Sequence, residues 1–133
     1  DSPELEHHPQ TPLRVFEKTY IRLINKVRQM GHTPLIMSLP PMDAKQYFDF
    51  FTSTFDDVQK ANVLKWLKGG VETIWAGHEL YNDAVKRVAS ATDCVLIDCT
   101  TTLGNGKNYL CDDGIHPNLA GQSKIASIIL RNT

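Results

Sequence analysis

The sequence predicts an α/β domain organised around a parallel sheet, and three observations carry that expectation. Helix-period segments alternate with two short, nearly continuous apolar runs, Pro34–Leu39 and Cys94–Ile97. Each run follows a helix through a tight turn, as a parallel strand covered on both faces does. The bulk composition is that of an ordinary globular domain: 133 residues, 41% hydrophobic and 22% charged, which excludes disordered and collagen-like chains and suits one domain.

Residues 1–10 read as a polar loop, because Pro3 and Pro9 oppose regular structure. A helix follows, with Thr11 as N-cap and Pro12 at the first helical position. Its apolar stripe is Leu13, Phe16, Tyr20, Leu23, Ile24, Val27 and Met30, in steps of mostly three and four, and Gly31 ends it. The strand Pro34–Leu39 stops at Pro40-Pro41. The aromatics Tyr47, Phe48, Phe50 and Phe51 lie between Met42 and Thr52 and fit neither a clean helix nor a clean strand.

Ser53-Thr54-Phe55-Asp56 has the form of a capping box, predicting a helix from about Phe55 to Lys68 with a stop at Gly69-Gly70. Another helix is expected over Val71 to Ala91, with Val71, Ile74, Trp75, His78, Tyr81, Val85 and Val88 on its buried stripe. Cys94–Ile97 forms the second strand, a loop containing Gly104-Asn105-Gly106 follows, and the last helix opens at Pro117. Two strands separated by more than fifty residues leave both sheet edges unpaired. The sheet is therefore expected to be completed by polypeptide outside this sequence.

Charge and length narrow the partners. With 14 basic and 15 acidic side chains the net charge is −1, so no broad positive field exists to hold nucleic acid. No apolar run approaches the ~20 residues a membrane-spanning helix needs. The three cysteines, Cys94, Cys99 and Cys111, lack zinc-site spacing and read as small buried hydrophobes. Their odd number favours a reducing, cytoplasmic setting, although the compartment is not fixed by it. Self-association into a homo-oligomer stays open.

The chemistry concentrates in Asp112-Asp113-Gly114-Ile115-His116-Pro117. Asp113 stands three residues before His116 in the loop that follows a strand, the place where catalytic groups of open α/β sheets gather. An acid at that spacing can accept a hydrogen bond from one imidazole nitrogen, fix the tautomer and leave the other nitrogen free to take a proton.

The longer string Asp113-Gly114-Ile115-His116-Pro117-Asn118-Leu119-Ala120-Gly121 resembles the last sequence block of the SGNH (GDSL-type) esterase and lipase superfamily. Pro40-Pro41-Met42-Asp43-Ala44, Ile74-Trp75 and His78-Glu79-Leu80-Tyr81-Asn82 are similar to a bacterial acylhydrolase subgroup of it. The resemblance spans nearly all of this chain but only about the C-terminal half of the family domain. It implies a flavodoxin-like three-layer α/β/α sandwich of five parallel strands, its N-terminal strands absent here. It also implies ester hydrolysis by a Ser-His-Asp triad, with Asp113 and His116 as two of its members and no cofactor or metal. The substrate implied is a small acyl ester.

The Gly-Asp-Ser motif that carries the family's nucleophile does not occur in this sequence. Ser2 follows an acid but lacks the oxyanion segments that should come after it, and Ser38, Ser53, Ser90, Ser123 and Ser127 sit in no strand-to-helix elbow. The nucleophile is expected from a missing N-terminal segment, and the chain alone is expected to be nearly inactive.

Two rival readings stand beside this one. Asp113 and His116 could merely cap the last helix of a non-catalytic interaction module. Alternatively Asp98, Asp112, Asp113 and His116 could form an oxygen-and-imidazole metal site of a metal-dependent hydrolase. Elsewhere, His78 reads as a hydrogen-bonded core or interface histidine, His7-His8 as solvent residues, and His32 as part of a turn. The Tyr47–Phe51 aromatics read as core, or as the wall of an acyl pocket. Gly121, costing about 1 kcal/mol inside a helix, points to close helix packing, and Cys111, beside two acids, is expected to be a poor nucleophile.

Overall fold

A computed structural model describes residues 10–133. Its elements are α1 (Leu13–Gln29), β1 (Leu35–Met37), α2 (Ala44–Phe51), α3 (Asp57–Trp66), α4 (Glu72–Ala91), β2 (Val95–Ile97), α5 (Cys99–Leu103) and α6 (Leu119–Arg131). Strands β1 and β2 pair in parallel with Ile36 opposite Leu96, so the α/β expectation holds, with a two-stranded sheet among the described residues.

Strand alternation divides the core into two layers. Ile36 and Leu96 turn to one face, where they meet Ile24 of α1 and Val85, Val88 and Ala89 of α4. Met37 and Ile97 turn to the other, against Leu103, Ile125 and Ile128 of α5 and α6. Ile36 and Ile97 are almost wholly buried, each contributing about 1.5–3 kcal/mol of apolar burial. The second face is open at its lower end, where neighbouring Leu35 and Val95 remain 40% and 51% exposed. The expectation of strands covered on both faces thus holds only toward their carboxyl ends.

Helix α1 starts one residue later than predicted, with Pro12 in the cap position. Leu23 and Met30 project into solvent, and Ile21 takes a place in the buried face with Phe16, Tyr20 and Ile24. On α4 Trp75 is likewise exposed. Tyr81 donates to the Thr11 carbonyl at 2.5 Å and packs edge-on to Phe16, tying α4 to the start of α1.

The aromatic stretch that fitted neither pattern is helical. Asp43 caps α2 by accepting from the Gln46 N–H, while Phe48 is buried and Phe50 points outward. The capping box of α3 lies three residues beyond the predicted one: Asp56 and Gln59 exchange side-chain and backbone bonds. Gln at the third helical position can reach back to the cap N–H, which is the reciprocal half of that motif. Phe48, Val63 and Leu67 form a third apolar cluster with Phe51, Phe55 and Ile74, making α2 and α3 a cap beside the main core.

The short helix α5 had no counterpart in the sequence reading. Asp98 caps it by accepting from the Thr101 N–H at 3.0 Å. Helix α6 begins at Leu119 rather than Pro117. Asn118 is its cap, accepting from Gly121 N–H, and Pro117 pairs with Leu110 in an isolated antiparallel bridge. Gly121 is needed for another reason than helix packing: a Cβ there would stand 2.4 Å from the Tyr109 carbonyl of the preceding loop. Of the cysteines only Cys99 is buried, Cys94 being half-buried and Cys111 exposed; all three are free thiols. No described helix is long and apolar enough to cross a membrane.

Candidate active site

The carboxyl ends of both strands run into a buried polar network. Ser38, next after β1, donates to Asp98 Oδ1 at 3.3 Å and accepts from the Thr100 N–H at 3.0 Å. Asn82, fully buried on α4, accepts from the Leu39 N–H at 2.9 Å and donates to Thr100 Oγ1 at 3.1 Å. Thr100 Oγ1 in turn donates to the Leu39 carbonyl at 2.6 Å. Both backbone groups of Leu39 are thus satisfied by side chains where the ladder ends, as burial requires. Ser38 and Asp98 are occupied in holding the two strand ends together. Hydrogen bonds from Thr101, then from Ser38, lower the Asp98 carboxyl below its ordinary range.

From Leu39 the chain passes Pro40-Pro41 to Asp43, and there it meets the loop from Gly104 to Asn118. The Asp43 N–H donates to the Gly114 carbonyl at 2.8 Å, and Gln46 Nε2 donates to the Cys111 carbonyl at 3.1 Å. Gly114 has φ +74°, and a Cβ on it would press within 3.0 Å of Asp43 O, Tyr47 N and Gln46 Cβ. Only glycine meets both demands. Within the loop, the Cys111 N–H donates to the His116 carbonyl at 2.7 Å. Asn118 Nδ2 reaches the carbonyls of Asn108 and Leu110 at 3.1 and 3.2 Å.

This frame presents Asp113 and His116 as a pair. Asp113 Oδ1 accepts from the N–H groups of Ile115 and His116, both at 3.0 Å. Its Oδ2 lies 2.5 Å from His116 Nδ1. The His116 side chain holds its carboxyl at about 2, with the backbone N–H groups of His116 and Ile115 adding to that effect. An ionised carboxylate only accepts, so Nδ1 carries the proton and Nε2 is left as the basic nitrogen. The Asp113 side chain is 17% exposed and the His116 side chain 72%, so the ring's outer edge faces solvent. Tyr47 on α2 lies near enough to feel the pair: burial, and then the charge of Asp113, raise its phenol. A shallow groove lined by Asp43, Gln46, Phe50 and Asp112 runs beside the loop.

The two predicted site residues are therefore brought into direct contact, and neither caps α6, since Asn118 does. The metal alternative is not assembled: Asp98 is bound to Ser38 and Thr101, and no group of three or more His, Cys, Asp or Glu side chains among the described residues could hold a metal ion. His78 differs from expectation. Its Nδ1 is buried without a hydrogen bond, 3.4 Å from Glu79 Oε1. His32 does close a turn, its N–H donating to the Val27 carbonyl at 3.2 Å. His7, His8 and Ser2 lie outside the described residues. Among the described serines none bonds to His116, and Ser127 Oγ is turned back onto the Ser123 carbonyl. Sequence reading missed Gln46, Asn82, Thr100 and Asn118 as the scaffold of the pair. The Asp43-x-x-Gln46 and Asn118-x-x-Gly121 spacings, both cap patterns, were the available signals for two of them.

Comparison with known proteins gives a fold likeness. No family model matches the chain, and no curated protein matches it. Among solved structures, LAE5, described as an alpha/beta hydrolase enzyme from the metagenome of Lake Arreo, Spain, is similar with a TM-score of 0.58 and 21% identity. The match covers 90% of this chain and 46% of LAE5. The chain shares its α/β fold and spans about half of LAE5's length.

Proposed function

We propose that this chain carries the acid–base half of a serine ester hydrolase of the SGNH type, with His116 as general base and Asp113 as its orienting carboxylate. The observation that carries the reading is the 2.5 Å contact of Asp113 Oδ2 with His116 Nδ1 on a side chain otherwise open to solvent. The likeness to LAE5, described as an alpha/beta hydrolase and about twice as long, supports hydrolase chemistry.

In this reading a serine hydroxyl from the polypeptide that completes the sheet attacks the ester carbonyl of a small acyl ester. Its proton passes to His116 Nε2, and the imidazolium is stabilised by Asp113. His116 then returns the proton to the leaving alcohol as the bond from the acyl carbon to that alcohol's oxygen breaks, which leaves the acyl group bonded to the serine oxygen. Water, deprotonated by the same nitrogen, cleaves that bond in the second half-reaction. The mechanism asks nothing of a metal or organic cofactor, and in this reading the completed sheet is that of a flavodoxin-like three-layer sandwich.

The test is covalent labelling of the polypeptide encoded from its own start codon through Thr133. A fluorophosphonate probe is expected to label one serine and abolish hydrolysis of p-nitrophenyl acetate, with EDTA leaving the rate unchanged. Hydrolysis lost to EDTA and restored by a divalent metal ion would instead favour metal-dependent chemistry.

A further inference from the structure

Helices α2 and α3 open on the same pattern, Asp43-x-x-Gln46 and Asp56-x-x-Gln59, yet complete it differently. In both, the aspartate side chain accepts from the glutamine N–H, at 2.9 Å in α2 and 2.8 Å in α3. In α3 the glutamine closes the box: the Asp56 N–H donates to Gln59 Oε1 at 3.1 Å, the reciprocal bond this residue pair makes at a helix start. In α2 the corresponding groups go elsewhere. The Asp43 N–H donates to the Gly114 carbonyl at 2.8 Å, and Gln46 Nε2 donates to the Cys111 carbonyl at 3.1 Å. Both are diverted to the one loop that bears Asp113 and His116.

The two carbonyls they hold bracket the acid of the pair. The Gly114 N–H donates to the Cys111 carbonyl at 3.0 Å, closing a β-turn with Asp112 and Asp113 at its centre. Asp113 Oδ1 accepts from the Ile115 and His116 N–H groups, and Oδ2 meets His116 Nδ1, so the aim of the carboxylate follows from the backbone of that turn. Gln46 holds the carbonyl at its first corner and Asp43 the one at its last. A Cβ on Gly114 would stand 3.0 Å from Gln46 Cβ, so the start of α2 lies directly against the turn. The Asp43 bond is made by backbone and survives any side-chain change except to proline; the Gln46 bond is made by a side chain alone.

We infer that Gln46 is a positioning residue of the acid–base pair, which acts through the Cys111 carbonyl to fix the turn that aims Asp113 at His116 Nδ1. Gln46 does not touch the reacting atoms. Without its bond the turn samples other arrangements, and in those His116 loses both the fixed tautomer and the fixed ring orientation that proton transfer needs. The loss falls on turnover rather than on substrate binding. The effect on turnover rests on the proposed reading of His116 as base; the effect on the Asp113 carboxylate does not.

The experiment compares Gln46→Met, which keeps the side-chain length and removes the donor, with Gln59→Met, the same change in the closed box of α3. Both are made in the polypeptide encoded from its start codon through Thr133, and p-nitrophenyl acetate turnover and the NMR titration of the Asp113 carboxyl are read. Gln46→Met is expected to lower kcat about three- to tenfold, the weight of one side-chain hydrogen bond, with KM unchanged. It is also expected to raise the Asp113 midpoint from about 2 toward 3.8. Gln59→Met should lower the melting temperature and leave both readings at the parent values. An unmoved Asp113 midpoint in Gln46→Met would overturn the inference, as would equal effects from Gln59→Met. A rise in KM alone would also overturn it, making Gln46 a wall of the groove beside the loop. The two proposals fail separately. A raised midpoint in a polypeptide that fluorophosphonate does not label keeps the positioning role and refutes the serine mechanism; labelling with an unmoved midpoint does the reverse.

Discussion

The Gly114 carbonyl accepts a 2.8 Å hydrogen bond from the N–H of Asp43, which joins the loop bearing the acid–base pair to the start of helix α2. Gly114 is buried at φ +74°, and backbone atoms of Asp43 and Tyr47 would lie 2.8 and 2.9 Å from a Cβ. Backbone cannot swing aside as a flexible side chain can. Gly114→Ala is therefore expected to cost about 1–3 kcal/mol and to displace the loop, read by thermal melting and by loss of amide protection at Asp43. An unchanged melting temperature would show that the loop has another resting place.

Asp113 supplies a pH signature. Its carboxyl titrates at about 2 when folded, against a reference of 3.8. A lowered folded value means that the pair contributes stability at every pH above the unfolded value, and that this contribution fades as pH falls from about 4 to about 2. Asp113→Asn should flatten that part of the stability profile, with the difference from the parent vanishing below pH 2. Carboxyl NMR titration reads the same group directly, and a midpoint near 3.8 would mean that the pair does not form in solution.

The network at the strand ends gives a prediction about rigidity. Thr100→Val keeps the side-chain shape but removes the donor to the Leu39 carbonyl and the partner of Asn82 Nδ2. Leaving those groups unpaired should cost about 1–3 kcal/mol in chemical denaturation. Thr100→Ser, which keeps the hydroxyl, should recover most of it; a loss in Thr100→Ser with none in Thr100→Val would instead place the effect in the methyl group's packing.

Asn118 has two separable duties. It caps α6 through Gly121 N–H and also pins the Asn108 and Leu110 carbonyls. Asn118→Asp retains the cap acceptor and loses the donors. Asn118→Ala should therefore destabilise by about 1 kcal/mol or more, and Asn118→Asp by less in α6 but with the same loosening of the loop. Hydrogen exchange at Cys111, whose N–H bonds the His116 carbonyl at 2.7 Å, checks the difference.

What the sequence disclosed was what is local along the chain. Asp113 and His116 are three residues apart, and their contact needs only a tight turn, so the pair was legible before any coordinates. The strands were legible because Ile36 and Leu96, and Ile97 beside them, belong to short apolar runs. Helix α2 was hidden because its aromatics occupy two faces, Phe48 inward and Phe50 outward, which blurs a one-stripe pattern. The start of α3 was misplaced because Ser53-x-x-Asp56 and Asp56-x-x-Gln59 have the same form, and only the second has an amide side chain that reaches back. The roles of Asn82 and Thr100 depend on Leu39, which is 43 residues from Asn82, and no spacing rule exposes such a contact.

The central claim is that His116 is the base, and it is met most directly by steady-state turnover of p-nitrophenyl acetate by the encoded polypeptide and its His116→Ala variant. The account predicts a fall in kcat/KM of about 10³-fold or more with the fold preserved by circular dichroism. Activity within tenfold of the parent would contradict it.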